Sequence, residues 1–385
     1  MSDDIAIVGA GPSGAWAAYT LARRGARVTL VDPSHPREKP CGGGLTGRAL
    51  ALVAEALPDP LQAVEIRSAR FVDSRSGQSA RVPLDGQALA VASRAEFDGR
   101  LVAAAERAGA TLVASRVRDV AVDGSGVRLE LDRGTLRASR LIGADGANSL
   151  VRRRLARPFT RRQLSIATGY FAHGVSSDEV VVEMEGDPPG YLWSFPRPTH
   201  LAVGICAQAD AGTTAGALQS RAAAWIRDTG LAPGARLEPY SWPIPSLDAG
   251  DLGRLVLAGP RWSLVGDAAG LVDPITREGI YFALLSGQYA ADAVTGAPWT
   301  RYVERVRDTI APELAAAARL RAGFFHPRFT GLLIEALQHS AAVRAVMADL
   351  VAGRQSYASL RRRLLKTFEI GLAWRLLRTG RRQRT

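Results

Sequence analysis

Three glycines and one acidic residue near the start of the chain have the spacing of a dinucleotide-binding turn. Gly9, Gly11 and Gly14 follow a short apolar run, and Asp32 ends the next apolar run. In such a turn the first glycine permits a tight bend, the second lets a pyrophosphate approach the backbone, and the third allows a helix to pack closely on a strand. The helix that begins at Ser13 offers free N–H groups to the phosphates. An acidic residue about 20 positions later binds a ribose hydroxyl pair, which favours FAD or NAD over NADP.

Two later segments have small-residue turns after strand-like runs. The first contains Asp145 and Gly146, and the second contains Gly266 and Asp267. On its residues alone the first is equally consistent with an ordinary Asp-Gly turn, but it resembles the Asp-Gly motif of the para-hydroxybenzoate-hydroxylase-like flavoproteins, which lies near the FAD pyrophosphate. Asp267 is expected to accept a hydrogen bond from the ribityl chain. The three motifs, in this order and at these separations, predict one FAD held by segments from the whole chain.

Further residues are expected at the cofactor. Backbone N–H groups at Gly279 and Ile280 start a predicted helix where they would stabilise negative charge on a reduced flavin ring. Arg94 precedes a helix predicted over 101–108. It is consistent with a surface residue at a helix cap, whereas the resemblance places it, together with Val117, next to the FAD. Apart from residues 42–47, which belong to the glycine run discussed below, the sequence contains no second Gly-x-Gly-x-x-Gly. NAD(P)H would therefore bind transiently, and ferredoxin is the other donor considered.

A Cys-Gly-Gly-Gly segment narrows the family. Three consecutive glycines are unsuited to a core strand or a helix and suit a backbone that passes hard against a flat ring. This segment resembles the hallmark of the geranylgeranyl reductase family, flavoenzymes that saturate carbon–carbon double bonds in prenyl chains. The resemblance covers residues 5 to about 290 and adds to the expected FAD contacts the four residues Cys41, Gly42, Gly43 and Gly44.

A second segment agrees with that family. Tyr191, Trp193 and Phe195 alternate and therefore share one face of a strand. Periodicity alone favours an ordinary sheet core, but the match to the family's Tyr-x-Trp-x-Phe-Pro pattern favours a slot that binds the substrate. The sequence also departs from the family, which often has proline where Glu38 stands. Glycine positions of the family pattern are occupied here by Cys206 and Arg277.

Reduction of an isolated alkene requires a hydride at one carbon and a proton at the other. Cys41 is the one residue of the motif with a plausible proton or redox role, and a small packing residue is an equal alternative. Cys41 and Cys206 lack the spacing of a disulfide framework or a zinc site. The five histidines form no spaced cluster, so they are interpreted as structural or solvated and no metal site is expected.

The composition fits one large domain or two ordinary ones: the chain has 385 residues, 47% of them hydrophobic. The predicted fold class is α/β. A Rossmann-like FAD-binding domain is expected over 1–65, 91–154 and 255–300. An inserted mixed β-sheet substrate domain is expected over 66–90 and 155–254, and a helical C-terminal region over 301–385.

The net charge of +12 is concentrated at the C-terminus, where 361–385 holds nine basic residues and one acidic residue. Apolar residues recur there every four positions (Leu360, Leu364, Phe368, Leu372 and Leu376). This predicts a basic amphipathic helix that either lies on an anionic membrane or packs on the protein with a solvated arginine face. Nucleic acid is not an expected partner. Without a signal peptide, the location is expected to be cytoplasmic, peripheral to the membrane if the helix binds lipid.

Three functions follow from these observations. The first is FAD-dependent reduction of the prenyl chain of a lipid or quinone. The second is an FAD-dependent monooxygenase that hydroxylates an aromatic or peptidyl substrate, and the third is a flavin binder without turnover. A halogenase is disfavoured because no Trp-x-Trp-x-Ile-Pro occurs.

Overall fold

The computed structural model describes residues 4–84, 89–294 and 299–366. The strands of these ranges are β1 (Asp4–Val8), β2 (Arg27–Val31), β3 (Gly44–Thr46), β4 (Ala63–Glu65), β5 (Ser68–Asp73), β6 (Ser79–Pro83), β7 (Leu89–Ala92), β8 (Thr111–Val113), β9 (Val117–Val122), β10 (Val127–Leu131), β11 (Thr135–Ala138), β12 (Arg140–Gly143), β13 (Leu164–His173), β14 (Glu179–Gly186), β15 (Pro189–Pro196), β16 (His200–Gln208), β17 (Arg236–Pro245), β18 (Ala258–Gly259) and β19 (Trp262–Leu264). The helices are α1 (Pro12–Ala22), α2 (Gly47–Val53), α3 (Arg94–Arg107), α4 (Leu150–Leu155), α5 (Ala215–Thr229), α6 (Ala249–Gly253), α7 (Gly266–Ala269), α8 (Ile280–Val294), α9 (Thr300–Arg305), α10 (Ala311–Phe324), α11 (Pro327–His339), α12 (Ala341–Val351) and α13 (Tyr357–Lys366).

A six-stranded sheet in the order β18-β19-β12-β1-β2-β8 carries the three glycine-containing motifs. Its strands are parallel except for the short antiparallel pair of β18 and β19. Every residue of α1 is buried, because the alanine-rich helix packs between the sheet, α3 and α8. A Cβ atom at Gly14 would lie 1.9 Å from the carbonyl oxygen of Gly9. The third glycine of the motif is therefore required for the packing of helix against turn.

The second large sheet has seven strands in the order β17-β13-β16-β15-β14-β5-β6. It is mixed, since β14 and β5 run parallel and the other neighbours run antiparallel. The helix α5 covers one face, where Trp225 and Ile226 pack on alternate residues of β15 and β16. The opposite face carries Trp193, Phe171 and other aromatic residues, and it lies on the side of the six-stranded sheet. Two three-stranded sheets, β3-β7-β4 and β11-β10-β9, complete the strands of the described ranges.

The C-terminal helices pack against the seven-stranded sheet. Residues of α11 and α12, including Leu337 and Met347, share an apolar cluster with Phe71 of β5 and Met184 of β14. In the described part of the C-terminal segment, α13 contacts α10, and Leu360 packs there while the side chain of Leu365 is 79% exposed. None of the described helices is both long enough and apolar enough to span a bilayer.

The predicted α/β class with a mixed second sheet and a helical C-terminus is confirmed. The helix predicted over 101–108 is wrong at its start, because α3 begins at Arg94. Ser93 caps that helix by accepting a hydrogen bond from the backbone N–H of Glu96, and this places Arg94 in the first turn. The predicted amphipathic positions Phe368, Leu372 and Leu376 lie outside the described residues. The proposed domain boundaries stay a prediction.

Candidate active site

A cleft lies between the end of the six-stranded sheet, the aromatic face of the seven-stranded sheet and the C-terminal helices. Its volume is about 1700 Å³, including the part open to solvent. Its lining brings together many of the residues predicted from sequence: Cys41, Gly42, Gly43, Gly44, Arg94, Tyr191, Trp193, Phe195, Asp267, Gly279 and Ile280. The remaining predicted residues lie outside this lining: Gly9, Gly11, Ser13, Gly14, Asp32, Val117, Asp145, Gly146 and Gly266.

The three motifs meet at one edge because β1, β12 and β19 are parallel neighbours whose carboxyl ends coincide. A Cβ atom at Gly9 would lie 2.4 Å from the carbonyl oxygen of Ala144, so the first motif touches the second. A Cβ atom at Gly266 would lie 3.0 Å from the Oγ of Ser13, so the third motif touches the first. Close contact between the turns therefore accounts for these glycines.

Gly11 differs from its neighbours because its missing side chain would point into open space. No atom lies within 4 Å of the position of a Cβ at this residue, and its φ of −69° is one that any residue adopts. The turn also leads into the N-terminus of α1, whose first N–H groups lack intrahelical partners. An unfilled cradle beside free N–H groups fits a bound pyrophosphate.

Asp32 directly follows β2 and holds this turn from the other side. Its carboxylate accepts hydrogen bonds from the backbone N–H groups of Ala10 at 3.0 Å and Ser34 at 2.8 Å. Burial raises the pKa of Asp32, but His35 and these N–H groups outweigh burial and hold the pKa well below its usual range. The carboxylate is thus ionised and engaged by its own loop, and its expected contact with a ribose stays a prediction.

His35 was not identified from sequence as part of the site. Its Nδ1 lies 2.9 Å from Asp32 and its Nε2 lies 3.3 Å from Asp98, both of which are buried. Burial lowers the pKa of His35, but the two carboxylates outweigh burial and raise it. With a carboxylate close to each ring nitrogen, the negative charges favour the imidazolium form of His35. The ring therefore links the cofactor turn to α3.

Arg94 is buried, and its guanidinium donates to both oxygens of Asp98, at 2.8 and 2.7 Å. Burial lowers the pKa of Arg94, but Asp98 and, to a smaller extent, Cys41 outweigh burial and raise it. Arg94 is therefore a charged residue of the cleft wall beside Cys41, and the interpretation as a surface residue at a helix cap is wrong.

The Asp145 carboxylate serves the helix that follows it. It accepts hydrogen bonds from the Oγ of Ser149 at 2.5 Å and from the backbone N–H of Leu150 at 2.6 Å and of Val151 at 3.1 Å. Burial raises the pKa of this carboxyl despite those bonds. Arg152 of the same helix donates to the carbonyl oxygen of Ala268 at 3.2 Å, which ties the second motif to the third.

The segment with three glycines does pass hard against a ring, and in the structure that ring is a side chain. Cβ atoms at Gly42 and Gly44 would each lie 3.1 Å from the ring of Phe195. Gly43 has a φ of +82°, and a Cβ there would lie 2.4 Å from the carbonyl oxygen of Ala92. Gly44 also begins the short strand β3. Tight protein packing therefore explains these three glycines.

Arg197 holds the same segment and was missed by sequence reasoning, since an arginine between two prolines looks like a loop residue. Its side chain is fully buried, and it donates to Glu38 and to the carbonyl oxygen of Cys41. Glu38 also accepts from the backbone N–H of Arg94 at 3.0 Å. Burial raises the pKa of Glu38, but Arg197 together with the hydrogen bonds from Ser93 and the backbone of Arg94 outweighs burial and lowers it. The pair Glu38–Arg197 thus fixes Cys41 against the start of α3.

At the third motif, Asp267 lies 3.5 Å from the Nζ of Lys39, and both line the cleft. Gly279 and Ile280 begin α8, so the first N–H groups of that helix lie at the cleft. The preceding residue, Glu278, accepts a hydrogen bond of 2.5 Å from Arg48. Burial raises the pKa of Glu278 in spite of that partner.

The three aromatic residues of β15 line the cleft, as their alternation predicts. The hydroxyl of Tyr191 donates to the carbonyl oxygen of Thr276 at 2.6 Å. Its ring lies 5.7 Å from that of Trp193 and 6.2 Å from that of Phe325. A Cβ atom at Gly204 would lie 2.5 Å from the ring of Trp193, which explains why glycine persists at this position.

Beyond this aromatic wall the cleft continues as an apolar arm between sheet and helices. We define the apolar arm by its lining residues: Ala69, Phe71, Val180, Val182, Met184, Phe324, Met347, Leu350 and Val351. The first five alternate along β5 and β14, and the last four belong to α10 and α12. The cleft thus has a polar end at the flavin motifs and an apolar end under the C-terminal helices.

Comparisons with known proteins agree with this site. A family model described as an FAD binding domain matches residues 2–210. A menaquinone reductase of Mycolicibacterium smegmatis is 32% identical over 358 residues, 85% of this chain and 85% of the relative. A geranylgeranyl diphosphate reductase of Rhodobacter capsulatus is 32% identical over 76% of this chain and 75% of its own length.

The fold recurs in solved structures. A geranylgeranyl bacteriochlorophyll reductase-like protein of Thermoplasma acidophilum has a TM-score of 0.77 at 21% identity, covering 95% of this chain and 99% of that one. A flavin-dependent brominase has a TM-score of 0.71 at 22% identity, with the same coverage of 95% and 99%. At these identities the structures establish the fold alone. Together with the family model and the reductase relatives, they show that this chain is an FAD-dependent oxidoreductase and belongs to the geranylgeranyl reductase family.

Proposed function

We propose that the protein reduces carbon–carbon double bonds in the prenyl chain of a lipid or quinone. The observation that carries this proposal is the shape of the cleft, which begins at the flavin motifs and continues as the apolar arm. An isoprenoid chain needs a long apolar slot, and its burial there is favourable by about 25 cal/mol per Å². The names of the relatives, menaquinone reductase and geranylgeranyl diphosphate reductase, support the same substrate class.

FAD, when bound, supplies the hydride. The residues proposed to hold it are those of the three motifs and the segment 41–44, with Arg94, Gly279 and Ile280 at the ring end. The N–H groups that begin α8 would stabilise negative charge near them. The aromatic wall would orient the chain and exclude water. Val117 lies in β9, outside the cleft lining, and its contact with the cofactor stays a prediction.

Cys41 is the proposed source of the proton. Its Sγ accepts a hydrogen bond from the backbone N–H of Gly43 at 3.3 Å, and Arg94 lies beside it. After a proton passes from the thiol to carbon, the guanidinium would stabilise the thiolate. Cys41→Ser and Cys41→Ala separate this role from packing. If Cys41 serves only in packing, both variants should turn over at a rate close to that of the wild type. If it donates the proton, turnover should fall at least tenfold in both variants while FAD affinity stays unchanged.

The test of the function is anaerobic. The FAD-loaded protein is reduced with dithionite and mixed with geranylgeranyl diphosphate, a geranylgeranyl phospholipid or menaquinone. Flavin reoxidation together with a gain of two hydrogens per double bond is the expected result. A flavin that stays reduced until oxygen is admitted contradicts the proposal for these substrates.

The alternative is an FAD-dependent monooxygenase that hydroxylates an aromatic or peptidyl substrate. One observation favours this alternative. The chain shares its fold with a flavin-dependent brominase, which is not a prenyl reductase. It predicts rapid oxygen consumption that depends on the substrate. The apolar arm favours the reductase, because an aromatic substrate would leave most of it unfilled.

The electron donor and the membrane contact are further proposals. NADPH, NADH and reduced ferredoxin are compared by the rate of anaerobic flavin reduction. We propose that 361–385, with its net charge of +8, binds anionic lipid. Co-sedimentation with vesicles containing 30% phosphatidylserine is expected for the full chain and is expected to weaken in a chain that ends at 366. Equal sedimentation of both chains would contradict it.

A further inference from the structure

One residue at the polar end of the cleft has a backbone conformation that its residue type disfavours. Arg277 has a φ of +60°, and it is the one non-glycine residue with positive φ in the ranges that the structure describes. The geranylgeranyl reductase pattern has glycine at this position, where the conformation is unstrained. A strained residue persists only when the surrounding structure holds it, and such residues concentrate at functional sites. The strained conformation of Arg277 therefore indicates a functional role for its side chain.

The guanidinium of Arg277 is one of two that converge on a buried hydroxyl. Its Nη1 donates to the Oγ of Ser246 at 2.6 Å, and the Nη1 of Arg321 donates to the same oxygen at 2.8 Å. Ser246 is fully buried. Burial lowers the pKa of Arg321, and the charge of Arg277 lowers it further. Two positive charges thus lie close together in a partly desolvated place.

Within the described ranges, neither of these guanidinium groups forms an ion pair with a carboxylate. The other cationic residues of the cleft lining differ in this respect, since Lys39 lies beside Asp267 and Arg94 is paired with Asp98. The Nε of Arg277 is buried and donates to no acceptor among the described groups. The carboxylates of Asp248 and Asp210 act on Arg321 from beyond ion-pair distance and raise its pKa, but burial and Arg277 outweigh them. A partly buried positive pair that lacks a direct ion pair favours an incoming anion.

The cleft gives access to this pair from one side. Arg277 lines the cleft next to Tyr191 and Cys206, and Arg321 lies behind it, outside the lining. The Nη1 of Arg277 also donates to the carbonyl oxygen of Pro274, so the contact with a phosphate oxygen is assigned to the remaining N–H groups of the guanidinium. An anion that enters the cleft would therefore meet Arg277 first, with the second charge adding to the local positive potential.

We propose that Arg277 binds a phosphate oxyanion on the head group of the prenyl substrate, whose chain then extends into the apolar arm. This inference rests on the proposed function and deepens it by assigning to Arg277 the contact that selects a prenyl phosphate or diphosphate ester over a neutral prenyl substrate. The same oxyanion chemistry occurs in a nicotinamide dinucleotide, and the experiments below distinguish the two sources.

The first experiment measures binding and needs no turnover. Inorganic diphosphate is titrated into the oxidised FAD-loaded full chain by calorimetry. Arg277→Asn removes the charge with a residue that tolerates positive φ, and Arg277→Gly removes both the charge and the strain. The dissociation constant is expected to rise at least tenfold in both variants, as the loss of a charged hydrogen bond implies. Arg227→Gln is the matched control, because it removes one positive charge from a side chain that is 72% exposed, and it is expected to leave the constant unchanged.

Equal affinity of the wild type and Arg277→Asn for diphosphate, or no saturable binding by the wild type, would overturn the assignment. Thermal unfolding shows whether the variants fold. Arg277→Gly is expected to melt no lower than the wild type, because glycine relieves the backbone conformation. A folded Arg277→Gly with unchanged diphosphate affinity also counts against the proposal.

The second experiment identifies the source of the phosphate. In anaerobic turnover, Arg277→Asn is expected to raise the KM for geranylgeranyl diphosphate at least tenfold and to leave that for geranylgeraniol within twofold. A rise in the KM for NADPH instead would reject the substrate head group as the ligand. If no prenyl compound is reduced while diphosphate binding still depends on Arg277, the proposed function fails and the anion site stands.

Discussion

Two glycine-rich segments meet the cleft: the first segment contains Gly9, Gly11 and Gly14, and the second contains Gly42, Gly43 and Gly44. Their glycines are required for different structural reasons. Beside Gly11 the structure leaves open space, whereas a Cβ atom at Gly42, Gly43 or Gly44 would meet the ring of Phe195 or the backbone of Ala92. Each segment is held by a pair of opposite charges, fully buried on the arginine side in the second segment. His35 and Asp32 hold the first, and Arg197 and Glu38 hold the second. Glycine therefore marks room for a ligand in one segment and contact with the protein in the other.

The largest effect is expected at the glycine of the first segment that does make contact. Gly14→Ala places a Cβ atom 1.9 Å from a backbone oxygen that no side-chain rotation can move. The free energy of unfolding should fall by about 3 kcal/mol or more, as for severe overpacking of a core. Chemical denaturation of the FAD-free protein measures it. Gly216→Ala in α5 is the control, since only a side-chain atom at 4.0 Å lies near it. Comparable stability of Gly14→Ala and wild type would contradict the packing argument.

Gly11→Ala tests the opposite property. Because the new methyl group meets no atom within 4 Å, the free energy of unfolding should change by less than about 0.5 kcal/mol. The same methyl group would occupy the cradle proposed for the pyrophosphate, so FAD affinity should fall at least tenfold, or about 1.4 kcal/mol. Flavin fluorescence during reconstitution measures this. If Gly11→Ala binds FAD as tightly as the wild type, the open space is not the phosphate site.

Gly43→Ala examines the filled segment. It combines a φ of +82° with a Cβ position 2.4 Å from the carbonyl oxygen of Ala92. Gly25 has a nearly equal φ of +79° with no atom nearby, so Gly25→Ala isolates the conformational strain. We expect Gly25→Ala to lower the free energy of unfolding by about 1 kcal/mol and Gly43→Ala to lower it by about 1–3 kcal/mol more. Equal losses would show that the segment moves easily away from Ala92.

Glu38→Gln weakens the charged pair that holds the second segment. Arg197 is fully buried, so the loss of its carboxylate partner should lower the free energy of unfolding by about 1–3 kcal/mol. Cys41, whose carbonyl oxygen Arg197 also contacts, should then react faster with iodoacetamide. Glu55→Gln is the matched control, because Glu55 pairs with Arg23 at a side chain that is 60% exposed. Unchanged Cys41 reactivity in a folded Glu38→Gln protein would contradict a positioning role for the pair.

The difference between the two segments also shows which residues of the site could be predicted from sequence. The first segment was identifiable because its glycines, helix and acidic residue are adjacent in the chain, and adjacent parallel strands bring the motifs together. The aromatic face of β15 followed from alternation. Arg197 could not be found in this way, because its partner Glu38 lies 159 positions away. His35 is three positions from Asp32, but its link to α3 was hidden because Asp98 lies 63 positions away. The apolar arm was equally hidden, since it forms only where α12 meets β5 and β14.

The smallest effect should be the pH dependence that His35 gives the first segment. The folded pKa of His35 is raised above its unfolded value by Asp32 and Asp98, although burial opposes them. Its stabilising contribution is therefore complete below the unfolded value of about 6.5 and is lost as pH rises through the folded pKa. We expect the difference in unfolding free energy between wild type and His35→Gln to shrink from pH 6 to pH 9. Denaturation at intervals across this range measures it, and the subtraction cancels the contributions of the other titrating groups, which the two proteins share. A difference that stays constant would mean that the imidazolium does not hold the turn, leaving Asp32 and the backbone N–H of Ala10 as the contact that does.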